Sequence, residues 1–578
     1  MLYPQSNPFR QCIDLSGFWD LRFDPENEGT RSNWSAGFSA GRPAAVPASW
    51  NDQFEDWHDY LGNTWYQTHF DLPLGWDTTR QRIQVRFNSV NYLAEVWLNC
   101  VRLGQHEGGH LPFEFDLTAL LQRECNTLVV RVEGELKPNR VPPGNVPADP
   151  KHMFMDQTEN NPPASFDFFP FCGIQRPVLL YATSPNGITD LTVVTDIVGS
   201  DGIVKIKLNR ENAKSVTARF TLRGTNIFAE TTKSNGELIV PNAKLWSPDS
   251  PHLYDLTVDL DRDGETYDRY TLPIGIRTVN IEGDALLLNG KPIYLKGFGR
   301  HEDFPIAGRG LVPSVIIKDY ALMKWIGANS FRTTHYPYSE QMMDLADRLG
   351  FLVIDETPAV GLFFAKEGLA RRLKLCQQYT QELIARDKNH PSVIAWSIAN
   401  EPHSWSRAAK SFFKKLSDVT KSLDTTRPTT LTTYIGVKEE SFEFCDIVCL
   451  NRYAGWYSQS GKIAEGAASL SAELDALHEK YRKPIMLTEF GADTLPGFHA
   501  QPPEMFAEEF QADFLAAYIK VLRSKPFVIG EHVWNMCDFK TTQGVRRVGG
   551  MNLKGVFTRD RRPKLAAHRL RELWTCYE

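Results

Sequence analysis

No stretch of this sequence approaches the run of about 18 apolar residues that a membrane-crossing helix needs. The opening, MLYPQSNPFRQCIDLSGFW, has no apolar run of signal-peptide length either. There is no CxxC pair, and the nine cysteines are scattered and odd in number. That excludes a disulfide framework and points to reduced thiols in a cytoplasmic setting. Charge of one sign is never blocked: the net charge of −6 is spread along the chain, which argues against nucleic acid or an anionic membrane as partner. Internal repeats and low-complexity tracts are also missing.

At 578 residues the chain is too long for one core, and length alone suggests roughly three domains. Aromatics make up 12%, with 14 tryptophans, more than packing requires. Such an excess fits sugar binding, where CH-rich faces stack on rings, and fits an all-β core equally well. Residues 1–184 carry short alternating runs such as IQVRFNSV, AEVWLNCVRL and NTLVVRVEG, separated by turn residues, which predict an antiparallel β-sandwich. Inside it lies a proline- and asparagine-rich stretch, Lys137 to Pro170, whose aromatic end SFDFFPFCG predicts an ordered loop with a purpose. Residues 185–277 repeat the β rhythm at the size of an immunoglobulin-like sandwich.

From residue 278 to 578 the rhythm changes. Eight apolar runs, PIYLKGFGRH, NSFRTTHYP, FLVIDETP, VIAWSIANEP, TTLTTY, DIVCLNRY, PIMLTEFG and VIGEHVWNMCD, alternate with amphipathic helical patterns. That count and length predict a (β/α)8 TIM barrel, whose active site lies at the carboxyl ends of its strands. Those ends are rich in carboxylate, histidine, tyrosine and amide, with no triad-like serine and no metal-ligand pattern, so neither metal nor cofactor is expected. Glu401 and Glu489 stand out because each ends a strongly apolar strand. Paired carboxyls across a cleft are what glycoside hydrolysis requires, one protonated and one ionised. Each could instead merely anchor a neighbouring arginine. His106-Glu107-Gly108-Gly109-His110 matches HExxH, but its Gly-Gly pair between β runs predicts a turn rather than the helix a zinc site needs.

The segments SIANEP, LTEFGADT, FRTTHYPYSEQMMDLADRLG, LNRYAGWYSQSG, GFGRHED and VWNMCDFKTTQGVRRVGG resemble the β-glucuronidases of glycoside hydrolase family 2. The resemblance covers essentially the whole chain, from LSGFWDLRFDPENEG to the tail KGVFTRDRRPKLAAHRLRELW. It implies Glu401 as acid/base and Glu489 as nucleophile of a retaining double displacement, with Asn400 binding the sugar 2-hydroxyl. Asp167, His335, Tyr453, Tyr457 and Trp534 match further sugar-contacting positions. Asn552-Leu553-Lys554, with Arg547 nearby, matches the Asn-x-Lys pair that grips a uronate carboxylate.

Two departures concern the sugar: GGM precedes Asn552 where the pattern has GG alone, and Ala454 replaces a common aromatic. The connection after Asp355-Glu356-Thr357 runs straight into a helical pattern without an inserted lid, which predicts an open site. The expected activity is exo-acting hydrolysis of terminal β-D-glucuronides, as small conjugates or oligosaccharide ends, by a homo-oligomer (dimer or tetramer, as the resemblance implies). Alternatives are β-galacturonidase, another family 2 exo-β-glycosidase, or a non-catalytic carbohydrate-binding protein.

Overall fold

The computed structural model describes residues 1–144, 160–210 and 216–576. The middle of the long loop, residues 145–159, lies outside the described residues. Near the amino terminus a six-stranded antiparallel sheet packs on a four-stranded one. Alternation builds their shared core: Leu93–Leu98 turns Ala94, Val96 and Leu98 inward, against Leu128, Val130 and Val132 of Asn126–Glu133. A second sandwich of three and four strands follows, with Val204, Ile206 and Leu208 facing Phe220 and Val258. At roughly 90 residues it has immunoglobulin-like size.

The remainder is a closed parallel barrel of eight strands. They are β1 (Leu295–Arg300), β2 (Ser330–Thr333), β3 (Leu352–Glu356), β4 (Val393–Asn400), β5 (Thr429–Thr433), β6 (Ile447–Asn451), β7 (Ile485–Glu489) and β8 (Val528–Val533). Helices α1 (Pro313–Ile326), α2 (Glu340–Leu349), α3 (Leu369–Asp387) and α4 (Arg407–Leu423) follow the first four strands. Helices α5 (Ile463–Tyr481), α6 (Glu508–Arg523) and α7 (Leu565–Thr575) follow the last three. Between β5 and β6 only two 3-10 turns intervene, Gly436–Lys438 and Ser441–Phe444, because the connection is too short for a helix and two loops.

Local chemistry explains the elements. Helix α2 starts where the Ser339 hydroxyl accepts the Met342 N–H, and stops at Gly350, whose φ of 75° suits glycine. All eight residues of β4 are buried, since one face looks into the barrel and the other onto helices. A small sheet of Val279–Glu282, Ala285–Leu288 and Lys291–Pro292 precedes β1. Its Val279, Leu286 and Leu288 pack with Leu295, Leu352, Ile394, Ile447, Met486 and Ile529, which lie at or near the amino-terminal ends of the strands. The floor of the barrel is thereby sealed with hydrocarbon, leaving the carboxyl ends as the mouth.

HEGGH is no helix. Strand Val101–Glu107 ends at its glutamate; His106 lies against Phe113 and Glu382, whereas His110 stacks on Tyr336 at 4.5 Å.

Candidate active site

The barrel's register slips next to the residues that matter. The pairing of β4 with β5 shifts between Ser397 and Asn400, and that of β6 with β7 shifts between Leu450 and Asn451, so that Asn451 lies opposite Glu489. Irregularities of this kind re-aim side chains at strand ends. Glu401 follows β4 in the left-handed region, at φ 45°, a conformation costing about 1 kcal/mol or more in a non-glycine residue. Backbone strain here orients a carboxylate.

Glu401 and Glu489 occupy one buried mouth with different partners. Arg332 Nη2 donates to Glu489 Oε1 at 2.5 Å, and the Tyr453 hydroxyl donates to Oε2 at 2.7 Å. Among the described residues Glu401 accepts one neutral donor, Asn451 Nδ2 at 2.8 Å; Thr488 holds that amide by donating to its oxygen at 2.9 Å. Burial raises both carboxyls. Glu489 is pushed to about 8, with Arg332 opposing the rise and Glu401 adding to it. Glu401 is raised by burial, with Asn451 and Arg332 opposing. Glu489 is buried and Glu401 partly buried, and carboxyls that repel each other titrate as a pair. The donors differ: a guanidinium and a phenol favour the ionised form of Glu489, whereas Glu401 has a neutral amide.

Beneath this pair is a second layer. Arg332 Nη1 donates to Glu356 Oε2 at 2.6 Å and to Asn400 Oδ1 at 3.2 Å. Burial would raise Glu356, but Arg332 and His335 hold it below the ordinary carboxylate range. His335, whose basicity burial lowers, bonds through Nδ1 to Glu356 at 2.8 Å, which places its proton there and leaves Nε2 as an acceptor 3.7 Å from Glu489. Trp534 stacks on His335 at 5.1 Å and lies across Gly299, where a Cβ would come within 2.6 Å of the indole.

A second cluster is basic and reaches the first through Tyr453 and Tyr457, edge to face at 5.4 Å. The first sandwich's long loop delivers Asp167, which accepts Arg547 Nε at 2.8 Å, a further bond from Arg547 Nη2, and Asn552 Nδ2 at 2.9 Å. Lys554, 1% exposed, donates to the Tyr457 hydroxyl at 2.8 Å and forms an ion pair with Asp493. Burial would raise Asp493, yet Lys554 and Arg547 hold it low. An ammonium has three donors, and two are used here. Arg547 donates through Nε, Nη1 and twice through Nη2, so the third proton of Lys554 and one Nη1 proton of Arg547 can meet a further anion.

The eleven residues singled out from sequence lie at one mouth. Arg332, Asn451, Glu356 and Asp493 complete it. Of these, Glu356 and Asn451 stand among the strand ends, and a lone arginine in the strand SFRT is the signal that could have flagged Arg332.

Carboxyls facing one another at the strand ends of a parallel barrel can cleave acetals, and the class follows: a glycoside hydrolase. Models of glycosyl hydrolases family 2 match the sugar binding domain at residues 12–184, the central domain at 186–277 and the TIM barrel domain at 279–578. The chain belongs to glycosyl hydrolase family 2. It is 40% identical to a β-glucuronidase of Paenibacillus borealis, over 99% of this chain and 98% of that one. It is 38% identical to that of Homo sapiens, over 99% and 92%. Among solved structures it superposes on a β-glucuronidase from an uncultured Clostridium sp. with TM-score 0.93, 40% identity and 99% coverage of both chains. It also superposes on the Ruminococcus gnavus β-glucuronidase in complex with a C6-substituted uronic isofagomine, with TM-score 0.93, 38% identity and the same coverage.

Proposed function

We propose that this enzyme is a β-glucuronidase that removes terminal β-D-glucuronate with retention of configuration. The carrying observation is the contrast in partners between buried Glu489 and partly buried Glu401, set beside a pocket built from Arg547, Asn552 and Lys554. Glu401, holding its proton, gives it to the glycosidic oxygen as the C1–O bond breaks. Glu489 attacks C1 from the opposite face and forms a glycosyl ester. Glu401, now a carboxylate, takes a proton from the water that attacks C1, and Glu489 is released. Asn400, whose Oδ1 accepts from Arg332 and Asn451, would meet the 2-hydroxyl.

The carboxylate at C6 would be received by Lys554, Arg547 and Asn552. Asp493 and Asp167 already balance the two cations, which keeps the empty pocket from being a buried excess charge. The names of the relatives support the same substrate. The C4 epimer, galacturonate, is the second reading, because the loop before Asn552 is one residue longer than the pattern. Assays with aryl β-glucuronide, β-galacturonide and β-galactoside separate the two: the first should lead, and NMR should show the β anomer as first product. A leading galacturonide rate would replace the reading, and an α anomer would contradict double displacement.

Among the described residues no helix is long and apolar enough to cross a membrane. All nine cysteines are unpaired, which supports a reducing, cytoplasmic setting. The family resemblance supports a homo-oligomer, which light scattering would size.

A further inference from the structure

Between the second sandwich and the floor of the barrel lies a cavity of about 740 Å³. Its walls come from the sandwich strand Ile188–Val198, from the linker between Arg277 and Gly283, and from the turns that enter β5 and β7. Pro428 precedes β5 and Pro484 precedes β7, so the cavity lies at the strand ends opposite to Glu489.

Arg277 lines this cavity and is only 6% exposed. Its Nε donates to the Pro391 carbonyl at 3.1 Å and its Nη2 to the Val393 carbonyl at 2.8 Å. Among the described residues Nη1 bonds to nothing and the guanidinium forms no ion pair. Burial pushes its pKa down to about 9; Arg427 adds to the fall, and Asp424 and Asp347 offset only part of it. At neutral pH the group stays charged, so the fall reflects a buried charge left without a counter-ion.

The carboxylates around it are committed elsewhere. Asp424 accepts Arg427 Nη1 at 2.7 Å and the Trp396 indole N–H at 2.9 Å. Asp446 accepts Lys421 and the Thr429 N–H, each at 2.8 Å, and Asp196 stands 3.9 Å from Lys205. Lys483 is spent on the backbone carbonyls of Phe442, Glu443 and Cys445. Arg482, exposed in the turn after α5, has no side-chain partner among the described residues. Arg277 and Arg482 are thus the lining cations with donors to spare and no counter-ion. The rest of the lining sets the kind of anion. It carries no aromatic ring, so a flat ligand has nothing to stack on, whereas Thr278, Asn280 and Thr425 offer hydroxyl and amide groups.

We propose that this cavity is a second binding site, for a small polyhydroxylated oxyanion whose charged group meets Arg277 and Arg482 and whose hydroxyls meet Thr278, Asn280 and Thr425. A carboxylate and a phosphoryl group both match the planar fork of arginine, so the ligand has two sources, a sugar acid and a sugar phosphate. Arg277 and Arg427 both hold the Val393 carbonyl that opens β4, so a bound anion also braces the entry to the strand that ends before Glu401.

Isothermal titration calorimetry at pH 7 and fixed ionic strength tests the site, with gluconate, glucose 6-phosphate, glucose and inorganic phosphate as probes. Gluconate, glucose 6-phosphate or both should bind once per chain, and whichever binds identifies the source. Glucose should not bind, and inorganic phosphate should bind at least tenfold more weakly. Arg482→Glu should weaken the bound probe about tenfold or more, because it sets a like charge against the anion. Arg277→Lys keeps the charge but loses the fork and should weaken it about tenfold. Lys554→Ala, which removes a cation of the mouth, should leave it within twofold. Should Arg277→Lys not fold, Arg482→Glu, a change at an exposed residue, decides alone. No binding by either acid, or binding that survives Arg482→Glu, overturns the proposal. Loss of binding in Lys554→Ala also overturns it, since the probe would then sit in the mouth. Inorganic phosphate binding as tightly as the sugar phosphate, or glucose binding as well as either acid, would overturn the assigned ligand class.

Discussion

Lys554 is the residue whose surroundings say most about selectivity. It is buried, carries an ion pair to Asp493, leans on Tyr457, and lies within 6 Å of three aromatic rings. A uronate leaving water must regain its lost solvation there. Lys554→Ala should cost about 2–4 kcal/mol in transition-state binding, roughly thirty- to a thousand-fold in kcat/KM, for uronides. The same change strands Asp493, so the ratio of uronide to hexoside kcat/KM is the right readout; a ratio within about threefold of wild type would make Lys554 a structural residue. Glu401 supports a different test. Glu401→Gln should retain glycosylation by dinitrophenyl glucuronide, whose leaving group needs no proton, and show an initial burst followed by slow turnover. Equal loss on good and poor leaving groups, with no burst, would contradict its role as acid.

The elements explain how much could be read before the fold was known. Strand-end glutamates and the Asn-x-Lys pair were legible because each is local: a polar residue closing an apolar run, or two residues on one short loop. Arg332, Asn451 and Asp493 gain their meaning sideways, from β2 to β7, β6 to β4, and the β7 end to the loop after β8, and linear spacing carries no such neighbours. One element contact also sets a pH dependence. Burial opposes charge on His390, but Asp347 of α2, at 2.6 Å, together with Asp387, raises the imidazole to about 10. Asp347 also receives the Ser392 N–H before β4, so the pair ties α2 to that strand. A folded-state value above the unfolded value of about 6.5 means the stabilisation is complete below that pH and is lost as pH rises toward 10. His390→Asn should therefore lower Tm clearly at pH 6 and little at pH 10; an equal loss at both would show that packing, not charge, is what His390 supplies.

At the scale of the molecule, the sandwich is part of the active site. Its loop brings Asp167 to Arg547 and Asn552, with Asn161 and Gln543 exchanging backbone bonds at 3.1 and 2.8 Å and Phe169 N–H reaching the Lys540 carbonyl at 2.9 Å. Phe166 and Phe168 join the barrel's own core. The first sandwich and the barrel therefore build one site together, and the barrel alone would lack the carboxylate that meets its basic loop. On the proposed function, this composite mouth recognises a glucuronyl group and passes it to Glu489. Incubation with a 2-deoxy-2-fluoro-β-glucuronyl fluoride, followed by mass spectrometry of the intact protein and its peptides, tests it most directly. One glucuronyl adduct per chain on the peptide containing Glu489, absent with the matching galactosyl reagent, is the predicted result. No adduct, an adduct on another residue, or equal labelling by the neutral sugar would contradict the account.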